Sequence, residues 1–427
     1  MKIHNNLAVA PLFFLFFFTA SCTTVEQNSA TTVLEQPGTA ASIGDSVISG
    51  VIEGAAHEKP RKYLRGIHLS QWVSGPGKLR DAAIELFNET ELNTAVIDIK
   101  EMEGEVYIDG VKAAHEAGAY SRAIPNIKQY LDKLKENGIY TVARIVVFRD
   151  DIMPRKKPSM AVKNPNGTVW TDRKGITWLD PYSKDACDYI LSIAERAVDL
   201  GFDEIQFDYI RFPSDGNTKN CRYSNKNHSA DEASKAVVGF LKRANELLKP
   251  KNAKISIDVF GYTTTATDDM GIGQRIIEMT EWVDYVSPMV YPSHYSKNQY
   301  GIPDPNKAPY EIVYKSMEGA LKRIPLEKLR PWLQDFTYAG VKYGKKEIRA
   351  QIQACYDNGV GDWMLWNSRS VYTRDSLEGN YAEAGFEKSN PPTPEMIKTQ
   401  EDLNSAEKEK TESEQPQAAG KVEILEK

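Results

Sequence analysis

The chain reads as an α/β protein, a (β/α)8 TIM barrel with flexible N- and C-terminal extensions, and three observations predict this. Eight short β-type segments follow one another between Gly66 and Asn367, and helical stretches with apolar residues at i, i+3 and i+4 lie between them. The third is the stretch 201–213, GFDEIQFDYIRFP. After Gly201 it alternates, with Glu204, Gln206 and Asp208 on one face and Ile205, Phe207 and Tyr209 on the other. Arg211 and Pro213 follow at once, so the strand ends on a charged cluster, where barrel enzymes keep catalytic residues.

In chain order the predicted strands are 66–70, 94–100, 140–148, 203–210, 254–260, 284–291, 330–336 and 362–367. The predicted helices include Leu79–Phe87, Ile127–Lys135, Cys187–Leu200, Ala233–Leu248, Ile312–Leu321 and Ile348–Tyr356. Gly138, Gly201 and Gly359 close three of them as helix C-terminal caps. No Gly-rich phosphate turn follows the first strand, which counts against a doubly wound open sheet. The barrel is therefore expected over 61–387.

Its flanks read differently. Lys2 precedes the apolar run Leu7–Phe18, too short to span a bilayer, and the run ends in Thr19-Ala20-Ser21-Cys22. This resembles a bacterial lipoprotein signal over 1–22, in which Cys22 is lipidated. Thr19 stands where that pattern has Leu, and an ordinary cleaved signal peptide is the alternative. Residues 23–60, rich in Thr, Ser, Ala and Glu, read as a flexible tether, and 388–427 as a disordered charged tail. The expected location is the cell envelope, with the chain anchored to the membrane on its periplasmic or extracellular face.

Composition narrows the chemistry. A net charge of −6 without a basic run gives nucleic-acid binding no electrostatic support. Cys187 and Cys355 fall in helical patterns and Cys221 in a loop; no CxxC, HxH or HExxH spacing occurs, so no metal or cofactor is expected.

The segments FDEIQFDYIRFPS, IDVFGYTTTATDDMGIGQ, VDYVSPMVYPSHY, RPWLQDF and GDWMLWNSR occur in this order between about Arg65 and Tyr372. Together they resemble a family of bacterial glycoside hydrolase domains, first catalogued as a domain of unknown function and taken to be a TIM barrel. The resemblance implies a barrel and glycoside hydrolysis; it implies no particular sugar.

Carboxylates must then carry the reaction, and strand parity sorts them. Ile255, Ile257 and Val259 face the helices, which turns Ser256, Asp258 and Phe260 inward. By the same rule Val96, Asp98 and Lys100 point inward from the second strand, and Glu204, Gln206 and Asp208 from the fourth. Adjacent strands lie about 4.8 Å apart, compatible with the roughly 5–5.5 Å between carboxyls of retaining glycosidases. Asp208 and Asp258 are thus the expected catalytic pair. Arg211 is expected to keep Asp208 ionised, and burial beside Phe260 and Tyr262 to keep Asp258 protonated. Several known barrel glycosidases carry Glu at these strand ends, and this chain has Asp at both, which leaves the split of roles open. The competing structural reading is a salt-bridge network of the inward acids with Lys100 and Arg144.

Substrate contacts are expected from Asp98, Lys100 and Arg211, and from Tyr291 and His294 after the sixth strand. Gln334 and Asp335 are equal candidates on the seventh. Trp72, Trp178 and Trp366, with Trp170, lie on strand ends and loops, where aromatic faces stack on sugar rings. The loop Arg149–Tyr182 is long enough to read as a functional insertion, and Asp268 and Asp269 read as a helix N-cap. The expected function is hydrolysis of O-glycosidic bonds in a polysaccharide or peptidoglycan-type glycan. The alternative is a non-catalytic glycan-binding or envelope-scaffold lipoprotein.

Overall fold

Each inward-outward alternation in the sequence becomes a strand buried on both faces. The strands are β1 (Arg65–Leu69), β2 (Thr94–Lys100), β3 (Tyr140–Val146), β4 (Glu204–Asp208), β5 (Lys254–Phe260), β6 (Tyr285–Met289), β7 (Trp332–Gln334) and β8 (Trp363–Trp366). All neighbours are parallel, and β8 pairs with β1 to close an eight-stranded barrel in chain order. The computed structural model describes residues 63–379. The signal, tether and tail expected from the sequence, with Cys22, lie outside the described residues.

Parity holds on the strands that matter most. Ile205 and Phe207 of β4 and Ile255, Ile257 and Val259 of β5 are fully or almost fully buried in the layer packed against the helices. The helix Lys184–Leu200 buries Ala186, Ile190, Ile193, Ala194 and Ala197 at helical spacing, is capped by Ser183, and ends on Gly201 at φ 105°. Ser229 caps Ala230–Leu248 in the same way. Two details differ from the sequence reading. β7 is only three residues long, and among the described residues β8 is followed by no α-helix, only the single turn Arg374–Ser376.

The barrel interior is layered. At the N-terminal end Glu204 pairs with Arg330, both fully buried, and also accepts from Tyr140 Oη at 3.1 Å and from Ser256 Oγ. Above lies a small apolar plug of Val96, Val142, Trp332 and Met364, joined by Tyr291. Titratable groups reappear only above the plug. The fold therefore separates a closed charge pair at one end of the barrel from the acids at the other.

The lower pair gives a direct test. Glu204→Gln leaves the Arg330 guanidinium buried without its charge partner, which costs about 3–5 kcal/mol. Urea unfolding of the variant should show that loss; an unchanged midpoint would mean that the pair contributes nothing.

Candidate active site

Every strand sends a residue to the C-terminal mouth, and one guanidinium organises them. Arg144, central on β3 and 1% exposed, donates through Nε (3.1 Å) and Nη2 (2.5 Å) to Asp208 Oδ2. Its Nη1 donates to Asp98 Oδ1 at 2.6 Å and to Glu101 just past β2. Asp258 Oδ2 stands 4.0 Å from Nε. The Trp366 ring lies under the guanidinium at 4.9 Å and stacks on His68 at 4.0 Å. His68 in turn contacts Asp98 Oδ2 at 2.6 Å and the Asn367 carbonyl at 3.1 Å.

Asp208 and Asp258 are neighbours on adjacent strands. Phe207 is in register with Ile257, so the next residues of β4 and β5 are level and both point inward. Their surroundings differ. Asp208 has the Arg144 fork on one oxygen and the Tyr209 N–H at 2.6 Å on the other. Tyr209 takes φ 49°, a left-handed conformation costly for a side-chain-bearing residue, directly after the carboxylate it caps. Asp258 is 1% exposed, accepts from Trp332 Nε1 at 2.7 Å, and is not gripped by the guanidinium. Burial first, then the charge of Asp208, lifts it well above the usual carboxylate range. Asp98 goes the other way: burial opposes its charge, yet His68 and Arg144 hold it at about 2. Glu101 is pushed up to about 7 by burial and by the charge of Asp98, against the pull of Arg144.

These groups face a cavity of about 1030 Å³, at the upper end for small-ligand sites. Of the residues singled out from the sequence, Asp98, Asp208, Asp258, Arg211, Tyr291, His294, Trp72 and Trp366 line it. Trp72 is 70% exposed at the rim, so its ring is free. Asp98 lines the wall with both oxygens already engaged, which makes it a positioning residue for His68 and Arg144.

Other expectations fail. Lys100 does not line the cavity: a bulge between Asp98 and Lys100 breaks the alternation, and its ammonium is buried against Asp150 (3.0 Å) and the Val146 carbonyl (2.8 Å). Gln334 is fully buried, accepting from Ser293 N and donating to the Phe336 carbonyl. Asp335 accepts from Thr373 N and Oγ1. Both therefore brace loops, and Trp332 is the β7 residue that reaches the site. Trp178 is 1% exposed, bonds Asp172 and packs against Arg211, so it offers no face to a sugar. Its loop, 149–182, buries Met153, Met160, Trp170 and Leu179 and supplies no cavity wall. Asp268 and Asp269 accept N–H groups of their own turn, at Met270, Gly271 and Gly273, and cap no helix. The cation on Asp208 is Arg144, not Arg211.

His68, Glu101 and Trp332 are site residues that sequence reasoning passed over, and Arg144 entered it only as a partner in the competing salt-bridge network, which it does form with Asp98, Glu101 and Asp208. For His68 the signal existed, since Ile67 and Leu69 turn it inward by parity. Arg144 sits in the run YTVARIVVF, where both faces are apolar and parity is silent. Glu101 lies beyond the strand, where parity no longer applies.

A carboxylate pair with unlike surroundings thus stands at the C-terminal mouth of a closed (β/α)8 barrel under a large cavity, the place where barrel enzymes keep their catalytic groups. The family is more specific. Residues 66–372 match the family described as "Putative glycosyl hydrolase domain", well over half of the chain, and the protein belongs to that family of glycoside hydrolases. Among solved structures, the PgaB (BpsB) glycoside hydrolase domain from Bordetella bronchiseptica shares the fold. Its TM-score is 0.56 at 14% identity, over 75% of this chain and 99% of that one. A hypothetical protein from Ruminiclostridium thermocellum ATCC 27405 is 37% identical over 45% of this chain and 97% of its own, with a TM-score of 0.42. No curated protein matches the chain.

Glu101 yields a pH prediction. Its folded value near 7 exceeds the ordinary 4.5, so between these limits the native protein holds a proton that the unfolded chain has released. Stability from this group therefore falls as pH rises through that window. Glu101→Gln, which cannot ionise, should gain melting temperature relative to wild type from pH 4.5 to about 7. Parallel Tm–pH curves for the two proteins would contradict this.

Proposed function

We propose that the chain cleaves O-glycosidic bonds in a cell-envelope or environmental polysaccharide, peptidoglycan-type glycans included, with retention at the anomeric carbon. Asp208 is the nucleophile and Asp258 the acid/base. The reading rests on one observation: the two carboxyls stand level on adjacent strands in unlike electrostatic settings, one on the Arg144 fork and the other buried, with burial pushing its affinity for a proton up.

The steps follow from that split. An Asp208 oxygen attacks the anomeric carbon while the Asp258 proton passes to the glycosidic oxygen, which leaves as the free hydroxyl. A glycosyl ester forms on Asp208. Asp258, now a carboxylate, takes a proton from water, and the resulting hydroxide equivalent attacks the same carbon and releases Asp208. Arg144 keeps the nucleophile oriented; the Trp332 N–H steadies Asp258 when it is charged. Trp72 at the rim provides a stacking face for a sugar ring, while Trp366 lines the floor packed against His68 and Arg144.

Asp208→Asn and Asp258→Asn keep side-chain shape and remove charge or proton. On a glycan hydrolysed by the wild type, each should lose roughly 10²–10⁴-fold in turnover, read by reducing-end release, with folding checked by Tm. Folded variants of both that keep near-normal turnover would sink the assignment.

We further propose an envelope lipoprotein anchored through an acylated Cys22. Lys2, the apolar run Leu7–Phe18 and the small residues before Cys22 support it. Mass spectrometry of the protein from its native host should find a diacylglyceryl-type mass at Cys22, and Cys22→Ser should move it to the soluble fraction. An unlipidated, soluble wild-type protein would rule it out.

A further inference from the structure

Six arginines and lysines are buried in the described fold: Arg65, Lys100, Arg144, Arg149, Arg211 and Arg330. Five have a carboxylate partner. Arg65 pairs with Glu91, Lys100 with Asp150, Arg149 with Asp172, Arg330 with Glu204, and Arg144 with Asp98, Glu101 and Asp208. Arg211 has none among the described residues. That is costly for a buried cation, because removing a charge from water is normally offset by a counter-charge.

The local geometry accounts for only one end of Arg211. Its Nη1 donates to the Phe212 carbonyl and Ser214 Oγ, both at 3.0 Å. Its Nε and Nη2 make no hydrogen bond to the described protein. Three aromatic rings fix the guanidinium plane: Phe260 at 4.7 Å, Tyr209 at 4.8 Å and Trp178 at 5.1 Å. Two acids act on Arg211 from beyond ion-pair distance: Asp208, already committed to Arg144 and the Tyr209 N–H, and Asp215 in the loop that follows. Arg211 nevertheless lines the cavity that holds Asp208 and Asp258. Nε and Nη2 lie along one edge of a guanidinium and match the two oxygens of a carboxylate.

We propose that Arg211 is a subsite for a carboxylate on the substrate, so that the glycan bound beside Asp208 and Asp258 is an acidic one. The carboxylate belongs to a uronic acid or to the lactyl group of a muramic-type sugar; the two share this chemistry. The proposal rests on the hydrolase reading for the identification of the ligand as a glycan. The full-length protein carrying Asp208→Asn is titrated by calorimetry with oligogalacturonates, glucuronate-containing oligosaccharides and peptide-free muramic-acid glycan strands. Each probe is paired with its carboxyl-reduced form.

One acidic series should bind, and its reduced counterpart at least about tenfold more weakly, the direction expected when a buried polar group loses its partner. Which series binds decides the source of the carboxylate. Adding Arg211→Met should abolish the preference, and Arg211→Lys should restore part of it; the chemically reduced probes serve if the variants do not fold. Equal binding of acidic and reduced forms, or binding of none of the acidic probes, overturns the subsite. Asp208-dependent cleavage of a neutral glycan without preference for acid would overturn the subsite and leave the hydrolase standing. Arg211-dependent binding with no cleavage of any bound glycan by the wild type would do the opposite.

Discussion

The Arg144 guanidinium touches or neighbours four acids of the upper barrel, and the electrostatics of the site depend on that crowding. One cation shares its donors among Asp98, Glu101 and Asp208 and leaves Asp258 at 4.0 Å. Four carboxyls around one arginine cannot all be ionised in a buried setting, because each added negative charge raises the affinity of the others for a proton. The result is a graded set, with Asp98 held at about 2, Glu101 at about 7 and Asp258 far above its ordinary range. Two aspartates side by side on adjacent strands thereby come to stand in unlike electrostatic settings, from position alone.

The barrel handles buried charge in two ways. Below the apolar plug, Glu204 pairs with Arg330 and accepts from Tyr140 and Ser256, and neither member of the pair is exposed. Above it, charges are over-supplied on the acidic side and under-supplied around Arg211. The interior pairs five of its six buried arginines and lysines with carboxylates and leaves the sixth, Arg211, facing the cavity. The aromatic residues follow the same division. Trp170 and Trp178 are buried supports, while Trp72 and Trp366 are presented to the cavity. Residue type is common to all four; only the backbone they stand on separates platform from filler.

Much of this was legible in the linear chain. A period of two along β2, β4 and β5 assigns Asp98, Asp208 and Asp258 to the interior, because side chains on a strand must alternate. Gly201 and Gly138 mark helix ends, because left-handed φ values favour glycine there. Eight such units and the ordered segments from β4 to β8 were enough for the barrel and its family.

Tertiary structure decided the rest, wherever a local rule has no purchase. The bulge after Asp98 sends Lys100 to Asp150 instead of the cavity, and an inserted residue in a ladder leaves no mark in the alternation of TAVIDIK. Arg144 lies in a strand apolar on both faces, so its direction waits on closure of the sheet. Whether Asp208 meets Arg144 or Arg211 depends on contacts between strands more than 60 positions apart in one case and on the turn at Tyr209 in the other. Sequence by itself determined the inward face where the alternation is unbroken, as at Asp98, Asp208 and Asp258, since that depends on backbone period. Which inward groups share a proton, a cation or an opening to solvent was settled only when eight strands brought them within a few ångströms of each other, because electrostatic coupling depends on distance and burial and neither is local in the chain.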